Sequence, residues 1–553
     1  MSTLDFITII VFAIGIVSVG LSFSGKKNMK SFFAAGGAVP WQMNGLSLFM
    51  GFFSAGTFVV WGSIAYSLGW VSVSIQWTMA IAGLLVGSFI APRWNKTGVL
   101  TAAEYITHRL GVRTQKTFTY LFLFISLFTT GSFLYPIAKI IEVSTGIPLN
   151  ACILLIGGFC ILYVAVGGLW AVVSTDVLQF VILTAAVIIV IPMSFDRVGN
   201  VTEFIQSAPD AFFNLTNGEY TWPFLIAFGV YNAIFLGGNW AYVQRYTSVK
   251  NSTDSKKVGW LFGALYVISP VLWMLPPMVY RICNPTLDGL ESEGAYLMMC
   301  KEVLPAGLLG LVLGGMIFAT ASSMNSALNI SAGVVTNDIF KRLYPRSSDK
   351  RLMLVARLST VLFGILAIVV ALMVSSMGGI VNVVISVAAL TGVPLYLPVI
   401  WTLFSRRQTS CSVLTTTLLS LGINAIFKFV TPMLFNFSLS RTEEMVLGVS
   451  FPILCLILFE LYYKSKGKIS SDYSSYKEWE NANWAEKQQV FAETVEATNK
   501  QNDFSRKIIG YGICCTGIGI IILGAISATG KLLVISVGAL LVIVGLFICR
   551  KRK

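Results

Sequence analysis

The feature that most constrains this chain is a block of about 20 apolar residues that recurs along almost all of its length. A helix of that length crosses the hydrocarbon layer of a bilayer. Only 12% of the 553 residues are charged, about half the share found in soluble domains. The sequence therefore predicts an all-α polytopic membrane protein with fifteen spans. They are expected near residues 4–22, 41–66, 70–91, 117–144, 148–168, 170–193, 222–243, 258–281, 303–337, 352–375, 379–404, 411–431, 446–463, 508–526 and 531–549.

Lys and Arg residues are concentrated in alternate loops of this arrangement. Basic loops follow spans 1, 3, 7, 9, 11 and 13, and we count Arg109 and Arg245 among their residues. Short cytoplasmic loops of membrane proteins carry an excess of Lys and Arg. The alternation therefore predicts the N-terminus outside and the C-terminus in the cytoplasm. It also explains the net charge of +14 without a nucleic-acid partner.

The residue types that many enzymes depend on are scarce. His108 is the single histidine and falls in a basic loop, which argues against a Ser/His/Asp triad or a histidine-rich metal site. The nine cysteines form no CxxC pair, and a disulfide between Cys283 and Cys300 is less expected than free thiols. The first block, which begins near Asp5 without a basic stretch, is predicted to be a retained span and not a signal peptide. We expect no enzyme activity and no cofactor.

Two predicted spans are rich in glycine at corresponding points of the chain. Span 2 has four glycines between positions 45 and 62, and span 7 has three between positions 229 and 238. Glycine weakens a helix, and interrupted helices in two halves of a chain mark the binding site of many transporters. Close helix packing is the alternative explanation for glycine in membrane helices, and the sequence leaves both open.

Span 9 contains the stretch ATASSMNSALN, in which Ala319, Ser322, Ser323 and Ser326 fall on one helix face. Hydroxyl and carbonyl oxygens suit a hard cation such as sodium. The alternative is a stripe of small residues that pack against a neighbouring helix, with the serines bonded to carbonyls of their own helix. The two explanations carry about equal weight on the sequence alone.

Two ionisable residues fall inside predicted spans. Asp176 in span 6 is a functional candidate, because a carboxylate within a membrane is costly. The alternative places it at the membrane surface, since residues 176–196 alone are long enough to span. Lys139 in span 4 could face an anionic substrate, but we expect it to reach the interface or to pair with Glu142.

Several of these stretches together resemble the sodium:solute symporter family, which includes sodium–glucose, sodium–proline, sodium–iodide and sodium–sialic acid transporters. The resemblance covers roughly residues 4–465. It implies the LeuT fold, an inverted repeat of five plus five helices, here preceded by one extra helix and followed by about four. The stretches that carry it are SAGTFVVWGSIAYSLGW, GVLTAAEYITHRLG, GGLWAVVSTDVLQ, NWAYVQR, SSMNSALN and NDIFKRLYP.

The resemblance also divides the chain. We expect a leading helix and first cytoplasmic loop at 1–40, the first repeat at 41–193, an external loop at 194–221 and the inverted repeat at 222–404. Two accessory helices at 405–464 and a C-terminal helix pair with a basic tail at 507–553 follow. Between them, 465–506 is predicted as a solvated cytoplasmic loop, with an amphipathic helix near 478–496 as the alternative.

The resemblance further implies sodium ligands. The common sodium site of the family corresponds to the backbone carbonyls of Met50, Phe53 and Ala319 and the hydroxyls of Ser322 and Ser323. A second site in some members corresponds to Asp176, Ser322 and Ser326. The remaining ligand position of that site holds Asn325, where those members have a hydroxyl residue.

The implied solute site departs further from the family pattern. Of the positions that bind sugar in the glucose branch, only Asn232 keeps the residue type, and Phe235 corresponds to an aromatic gate. Span 4 offers no clear counterpart to the arginine that holds the carboxylate in sialic acid transporters. The candidate solute-binding residues are Ser54, Thr57, Gln76, Asn232, Phe235, Tyr266 and Ala388.

The resemblance implies a sodium-coupled symporter that imports a small polar organic solute by alternating access. A sugar, sugar acid, amino acid, carboxylate or vitamin would fit that description. We expect a monomer in the bacterial inner membrane, with sodium, the solute and the lipid bilayer as its partners. The alternatives are proton coupling through Asp176 on the same fold and a solute sensor that signals through 465–506.

Overall fold

The computed structural model describes residues 1–22, 39–99, 101–163 and 169–550, and these residues form helices and turns without a β-strand. The predictions for the first basic loop and the last three residues of the basic tail lie outside the described residues. The helices are α1 Thr3–Ser22, α2 Trp41–Met50, α3 Gly62–Leu68, α4 Val71–Leu85, α5 Ala91–Lys96, α6 Ala102–Leu110, α7 Val112–Thr145, α8 Leu149–Tyr163, α9 Leu169–Val198, α10 Val201–Ser207, α11 Trp222–Gly238, α12 Trp240–Thr247, α13 Ser252–Cys283, α14 Ala295–Val303, α15 Leu308–Val334, α16 Lys341–Leu343, α17 Asp349–Met373, α18 Gly379–Val387, α19 Val393–Thr402, α20 Ser410–Ala425, α21 Thr431–Phe435, α22 Arg441–Ser465, α23 Tyr473–Ile526 and α24 Lys531–Cys549.

Each predicted span overlaps one of these helices, or a short series of them, over the part of it that the structure describes. Within the described residues, ten helices are long and apolar enough to cross a membrane, or eleven when the bent pair α11–α12 counts as one span. Shorter apolar helices occupy the other four predicted positions. Several helices continue through π-helical turns at Thr57–Trp61, Val86–Ile90, Val335–Phe340, Ala388–Gly392 and Ile426–Val430.

Both glycine-rich spans are interrupted. In span 2, α2 ends at Met50, residues 51–54 form a turn, and the helix resumes before the π-helical turn that leads into α3. The Thr57 hydroxyl stabilises this turn, since it donates to the carbonyl of Phe52 and accepts from the Ser54 amide. In span 7, α12 lies at 60° to α11. Of the two explanations that the sequence left open for these glycines, the structure shows the interrupted helices.

The central helix α15 is held at its N-terminal end by a residue of α1. The Asp5 carboxylate is buried, and its Oδ1 accepts hydrogen bonds from the backbone amides of Gly307 at 2.7 Å and Gly310 at 3.0 Å. These amides belong to the first turn of a helix, where no partner exists within the helix itself. A Cβ at position 310 would lie 2.2 Å from the Asp5 carbonyl, so glycine allows this close approach.

The predicted loop at 465–506 is wrong over most of its length. Helix α23 begins at Tyr473 and continues unbroken for 54 residues into the fourteenth predicted span. The sequence from 473 to 509 contains neither Gly nor Pro, so nothing interrupts the helix once packing stabilises its start. We call residues 473–489 the strap. It contains the first part of the helix that we considered as the alternative.

The strap packs on the basic face, which we define as the end of the bundle where the Lys- and Arg-rich loops lie. The rings of Trp479 and His108 stack at 3.8 Å. Asn483 Nδ2 donates to the carbonyl of Thr97 at 2.9 Å, and Lys487 Nζ donates to the carbonyl of Thr247 at 2.8 Å. The strap therefore contacts the ends of both spans 3 and 7, and burial there lowers the pKa of Lys487 to about 8.

The opposite end of the bundle is joined by the loop before α14. Glu293 Oε2 accepts a hydrogen bond from the Tyr135 hydroxyl at 2.9 Å, and Oε1 accepts one from the Ile380 amide at 3.0 Å. These bonds connect α7 with the start of α18. The neighbouring thiols of Cys283 and Cys300 are free, one exposed and the other buried.

Two single-residue predictions have different outcomes in the bundle. Lys139 Nζ lies 2.9 Å from Glu142 Oε2, so the predicted pair is confirmed. Arg109, which we counted as a residue of a basic loop, is fully buried at the end of α6. Its Nη2 donates to the carbonyls of Ser405 and Gln408 at 3.0 and 3.3 Å, so it ties α6 to the segment that follows α19.

Candidate functional site

A cavity of about 270 Å³ lies in the middle of the bundle, between the two interrupted spans. On α7 its lining extends from Phe122 to Phe133, and on α15 it extends from Ser322 to Ile330. These positions belong to the centre of α7 and to the basic-face half of α15. The cavity therefore lies between the middle of the bundle and the basic face.

All seven candidate solute-binding residues line this cavity. They come from five separate helices or helix breaks, so the fold gathers positions that are far apart in sequence. The seven lining residues are Ser54, Thr57, Gln76, Asn232, Phe235, Tyr266 and Ala388.

The side-chain amides of Gln76 and Asn232 line the cavity. Gln76 is buried, and its Nε2 donates weakly to the Ser72 carbonyl at 3.4 Å. Its Oε1 has no hydrogen-bond partner among the described residues. Asn232 Nδ2 donates to the Thr78 hydroxyl at 2.8 Å, which fixes the orientation of that amide. A buried acceptor without a partner is costly, so Gln76 Oε1 is suited to accept from a bound molecule.

An aromatic group closes the cavity towards the bend of span 7. The ring of Phe235 lies 5.6 Å from Tyr242, 5.7 Å from Tyr396 and 6.3 Å from Phe52. All three contacts are edge-to-face, an arrangement that aromatic rings favour. The residue that we proposed as a gate is thus part of a ring cluster beside the break at Asn239.

The five residues of the common sodium site lie together around the span 2 break. Met50, Ser322 and Ser323 line the cavity, while Phe53 and Ala319 are fully buried beside it. Ser323 Oγ donates to the Ala319 carbonyl at 3.2 Å, which is the bond back to the helix that we considered as the alternative. The Ala55 amide donates to Thr320 Oγ1 at 3.0 Å, so the broken segment and α15 are in direct contact.

Asp176 is buried inside the bundle and lines the cavity. Ser47 Oγ donates to its Oδ2 at 2.6 Å, and Ser322 Oγ donates to its Oδ1 at 3.0 Å. The carboxylate therefore connects α9 with α2 and α15. The side chains of Asn325 and Ser326, the other two residues of the second sodium site, lie outside the described residues.

Two polar residues of this site were missed by the sequence analysis. Ser47 is buried in α2, and Arg245 Nε donates to its hydroxyl at 3.1 Å. We counted Arg245 as a basic loop residue, but it belongs to α12 and lines the cavity. The bend at Asn239 brings it inward. The NWAYVQR stretch, in which the arginine follows the break by only a few residues, is the signal that could have placed it.

Paired interrupted helices around a cavity are typical of membrane transporters. The chain belongs to the sodium:solute symporter family, whose family model matches residues 32–419. The family resemblance seen in the sequence is thereby confirmed. Because its relatives are transporters, the prediction that the chain is not an enzyme is confirmed too.

Individual relatives agree with this assignment. The chain is 29% identical over 416 residues to the sodium/glucose cotransporter of Vibrio parahaemolyticus, across 68% of this chain and 76% of that protein. It is 29% identical over 364 residues to the sodium/sialic acid symporter SiaT of Proteus mirabilis, across 63% and 73% of the two chains.

The solved structure of a Na⁺-coupled sialic acid symporter in a substrate-bound outward-open state shares the fold. Its TM-score is 0.70 at 23% identity, over 83% of this chain and 98% of that one. Mhp1, a nucleobase-cation-symport-1 family transporter, matches 82% of this chain with a TM-score of 0.52 at 13% identity. The LeuT-type core of the fold prediction is therefore confirmed.

Proposed function

We propose that this protein is a sodium-coupled secondary active symporter that imports a small polar organic solute by alternating access. The observation that carries the proposal is the meeting of the span 2 break, the serines of α15 and the Asp176 carboxylate at one cavity. Relatives named as sodium/glucose and sodium/sialic acid symporters support sodium as the coupling ion.

The first sodium ion is proposed to bind the carbonyls of Met50, Phe53 and Ala319 and the hydroxyls of Ser322 and Ser323. Such a site would join the broken span 2 to α15, so that occupancy orders the solute-binding surface beside it. A second ion is proposed at Asp176, with Ser322, Asn325 and Ser326 as the other ligands. By linkage, the solute must then tighten sodium binding by the same factor as sodium tightens solute binding.

The chemistry of the cavity favours a neutral solute. Gln76 and Asn232 contribute amides, and Gln76 Oε1 is a buried acceptor suited to a hydroxyl or amine donor. Among the described residues that line the cavity, Asp176 and Arg245 are the only charged ones, and they are linked to each other through Ser47. A solute carboxylate would find no other cation there, so hydroxyl-rich neutral solutes are the preferred class.

The proposed arrangement has fifteen spans, with the N-terminus outside and the basic face in the cytoplasm of a bacterial cell. One sodium ion moving down a potential of about 100 mV releases about 2.3 kcal/mol. A tenfold sodium gradient adds about 1.4 kcal/mol, and together these terms sustain a solute gradient of roughly 500-fold. No nucleotide site is required for that work.

Uptake into proteoliposomes tests the proposal. Purified protein is reconstituted, and a panel of radiolabelled sugars, sugar acids, amino acids, carboxylates and vitamins is offered with sodium or choline outside. We expect accumulation of at least one neutral solute with sodium and none with choline. Uptake that follows an imposed proton gradient in choline would instead favour proton coupling through Asp176, and binding without uptake would favour a sensor.

A further inference from the structure

The two charged residues of the cavity are linked by a single hydroxyl group. Asp176 on α9 and Arg245 on α12 are 5% and 8% exposed. Ser47 Oγ donates to Asp176 Oδ2 at 2.6 Å and accepts from Arg245 Nε at 3.1 Å. Because a buried charge without compensation is strongly unfavourable, each of the two groups needs the other when no further charge is present.

A cation bound to Asp176 would change this balance. The ion would neutralise the carboxylate, and the Arg245 guanidinium would then lie one hydroxyl group away from a second positive charge. Charges at such separations affect each other's binding by tenfold or more at the effective dielectric of a protein. Sodium and Arg245 therefore compete for the same negative charge.

We propose that Arg245 is a tethered counter-cation that competes with sodium for Asp176. The inference rests on the proposed function, and specifically on the second sodium site. While sodium occupies Asp176, the electrostatic attraction between Arg245 and the Ser47–Asp176 pair is weaker. After the ion leaves, Arg245 supplies the positive charge that Asp176 requires, so the unloaded carrier returns without an uncompensated buried carboxylate.

The position of Arg245 connects this exchange to the moving parts of the bundle. Arg245 belongs to α12, the basic-face half of broken span 7, and Ser47 belongs to α2, the basic-face half of broken span 2. Asp176 and Ser322 come from the unbroken helices α9 and α15. Sodium at Asp176 would thus loosen both broken halves from α9, which favours their movement at the basic face.

A purely structural ion pair makes the opposite prediction. If Arg245 only holds the helices together, its removal disturbs the geometry around Asp176 and Ser322. Sodium binding would then weaken or stay the same. Competition instead requires that removal of the positive charge strengthens sodium binding. The two explanations therefore predict opposite changes of the sodium affinity.

Direct binding of ²²Na⁺ to the purified full-length protein, measured by scintillation proximity with choline as the balancing ion, distinguishes them. We expect Arg245→Gln to lower the sodium dissociation constant about tenfold or more. Arg245→Lys, which keeps the charge, should stay closer to the unmodified protein. Arg281→Gln is the matched control, because it removes the same charge from the outer end of α13, where the side chain bonds the Pro285 carbonyl.

Two further variants complete the test. Ser47→Ala removes the bridging hydroxyl without any change of charge and should also tighten sodium binding, so the result does not depend on Arg245→Gln folding. In an Asp176→Asn background, Arg245→Gln should no longer tighten it, since the shared carboxylate is gone. Unchanged or weaker sodium binding in both Arg245→Gln and Ser47→Ala overturns the counter-cation. An unmodified protein without saturable ²²Na⁺ binding would overturn the proposed function itself.

Discussion

At the scale of single residues, Ser322 is the side chain that we propose as a ligand of both sodium ions. Its hydroxyl donates to Asp176 Oδ1 at 3.0 Å. One side chain would thus connect the two proposed ion sites. A change at this residue should affect sodium more than it affects the solute.

We expect Ser322→Ala to raise the sodium concentration for half-maximal uptake at least tenfold. The variant loses one or two oxygen ligands of sodium, and each factor of ten corresponds to about 1.4 kcal/mol of binding free energy. Ser331→Ala is the control, because Ser331 is a buried serine of the same helix whose hydroxyl contacts Ser126 instead of Asp176. Uptake is measured in proteoliposomes over a range of sodium concentrations. A Ser322→Ala protein with an unaltered sodium response would contradict the assignment of the sodium ligands.

Gln76 allows a separate prediction for the solute. Its Oε1 is buried and has no partner among the described residues, so a bound solute that donates to it gains a full hydrogen bond. Gln76→Met keeps the volume and removes the acceptor. We expect KM for the solute found in the uptake panel to rise about tenfold, as the loss of roughly 1.4 kcal/mol implies, while direct ²²Na⁺ binding stays unchanged. An equal loss of sodium affinity would show that Gln76 acts by maintaining the fold and not by binding the solute.

The sequence predicted the residues of this site unevenly. The seven candidate solute positions were located through family motifs, which preserve residue type at fixed distances along a helix, and the serines also through their shared helix face. Ser47 and Arg245 were missed because a serine in an apolar helix carries no pattern, and an arginine near a span end has the same signature as a topology signal. Only the bend between α11 and α12 turns Arg245 into the cavity.

At the scale of elements, asparagine side chains cap the starts of α12 and α13. Asn239 Oδ1 accepts from the Ala241 amide at 3.0 Å and so begins α12 after the bend. Asn251 makes the equivalent bond to the Asp254 amide at 2.8 Å, at the start of the long helix α13. The caps are chemically alike, but only the first one lies at a break beside the cavity.

We therefore expect Asn239→Ala and Asn251→Ala to lower stability by similar amounts, about 1 kcal/mol each. Only Asn239→Ala should also reduce the maximal rate of uptake several-fold, because α12 then loses its fixed angle to α11. Thermal unfolding in detergent and uptake in proteoliposomes measure the two effects. Equal uptake in the two variants would mean that the cap has no role in the transport cycle.

Glycine frequency marked the two spans that are broken but left helix packing as an equal explanation, and it did not indicate where the breaks fall. The turn at 51–54 is positioned by Thr57, whose hydroxyl bonds to Phe52 and Ser54. The strap was predicted as a loop because it carries no apolar block, so hydropathy gives no indication of its helix. Its helix is stabilised by contacts with Thr97, His108 and Thr247, which lie far away in the sequence.

At the scale of the whole molecule, the strap makes stability depend on pH through Lys487. Burial lowers the pKa of this lysine from its ordinary value to about 8. The folded state therefore holds fewer protons than the unfolded state between about pH 8 and pH 10.5, and stability rises with pH across that range. Lys487→Met should remove this contribution. The Tm of the unmodified protein should therefore rise relative to the Tm of the variant between pH 7.5 and pH 9.5.

Lys468→Met provides the control for that measurement, since Lys468 is exposed at the end of the preceding segment. Its Tm should follow that of the unmodified protein at every pH. If the Lys487→Met and Lys468→Met proteins showed the same pH dependence as the unmodified one, Lys487 would not be buried in the way that its bond to Thr247 suggests.

The orientation of the whole bundle can be tested with two of its own cysteines. Cys283 is exposed at the C-terminal end of α13, and Cys411 is exposed near the start of α20, beside the basic residues Arg406 and Arg407. The alternation of Lys and Arg predicts that these thiols face opposite sides of the membrane, with Cys283 outside and Cys411 in the cytoplasm.

A membrane-impermeant maleimide applied to intact right-side-out vesicles should therefore label the protein through Cys283. Cys283→Ser should abolish the labelling, whereas Cys411→Ser should leave it unchanged until the membrane is permeabilised. The reverse pattern would invert the topology and put the basic face outside. The cavity and the strap would then both lie on the outer side of the bundle, so import would require a different order of ion and solute release.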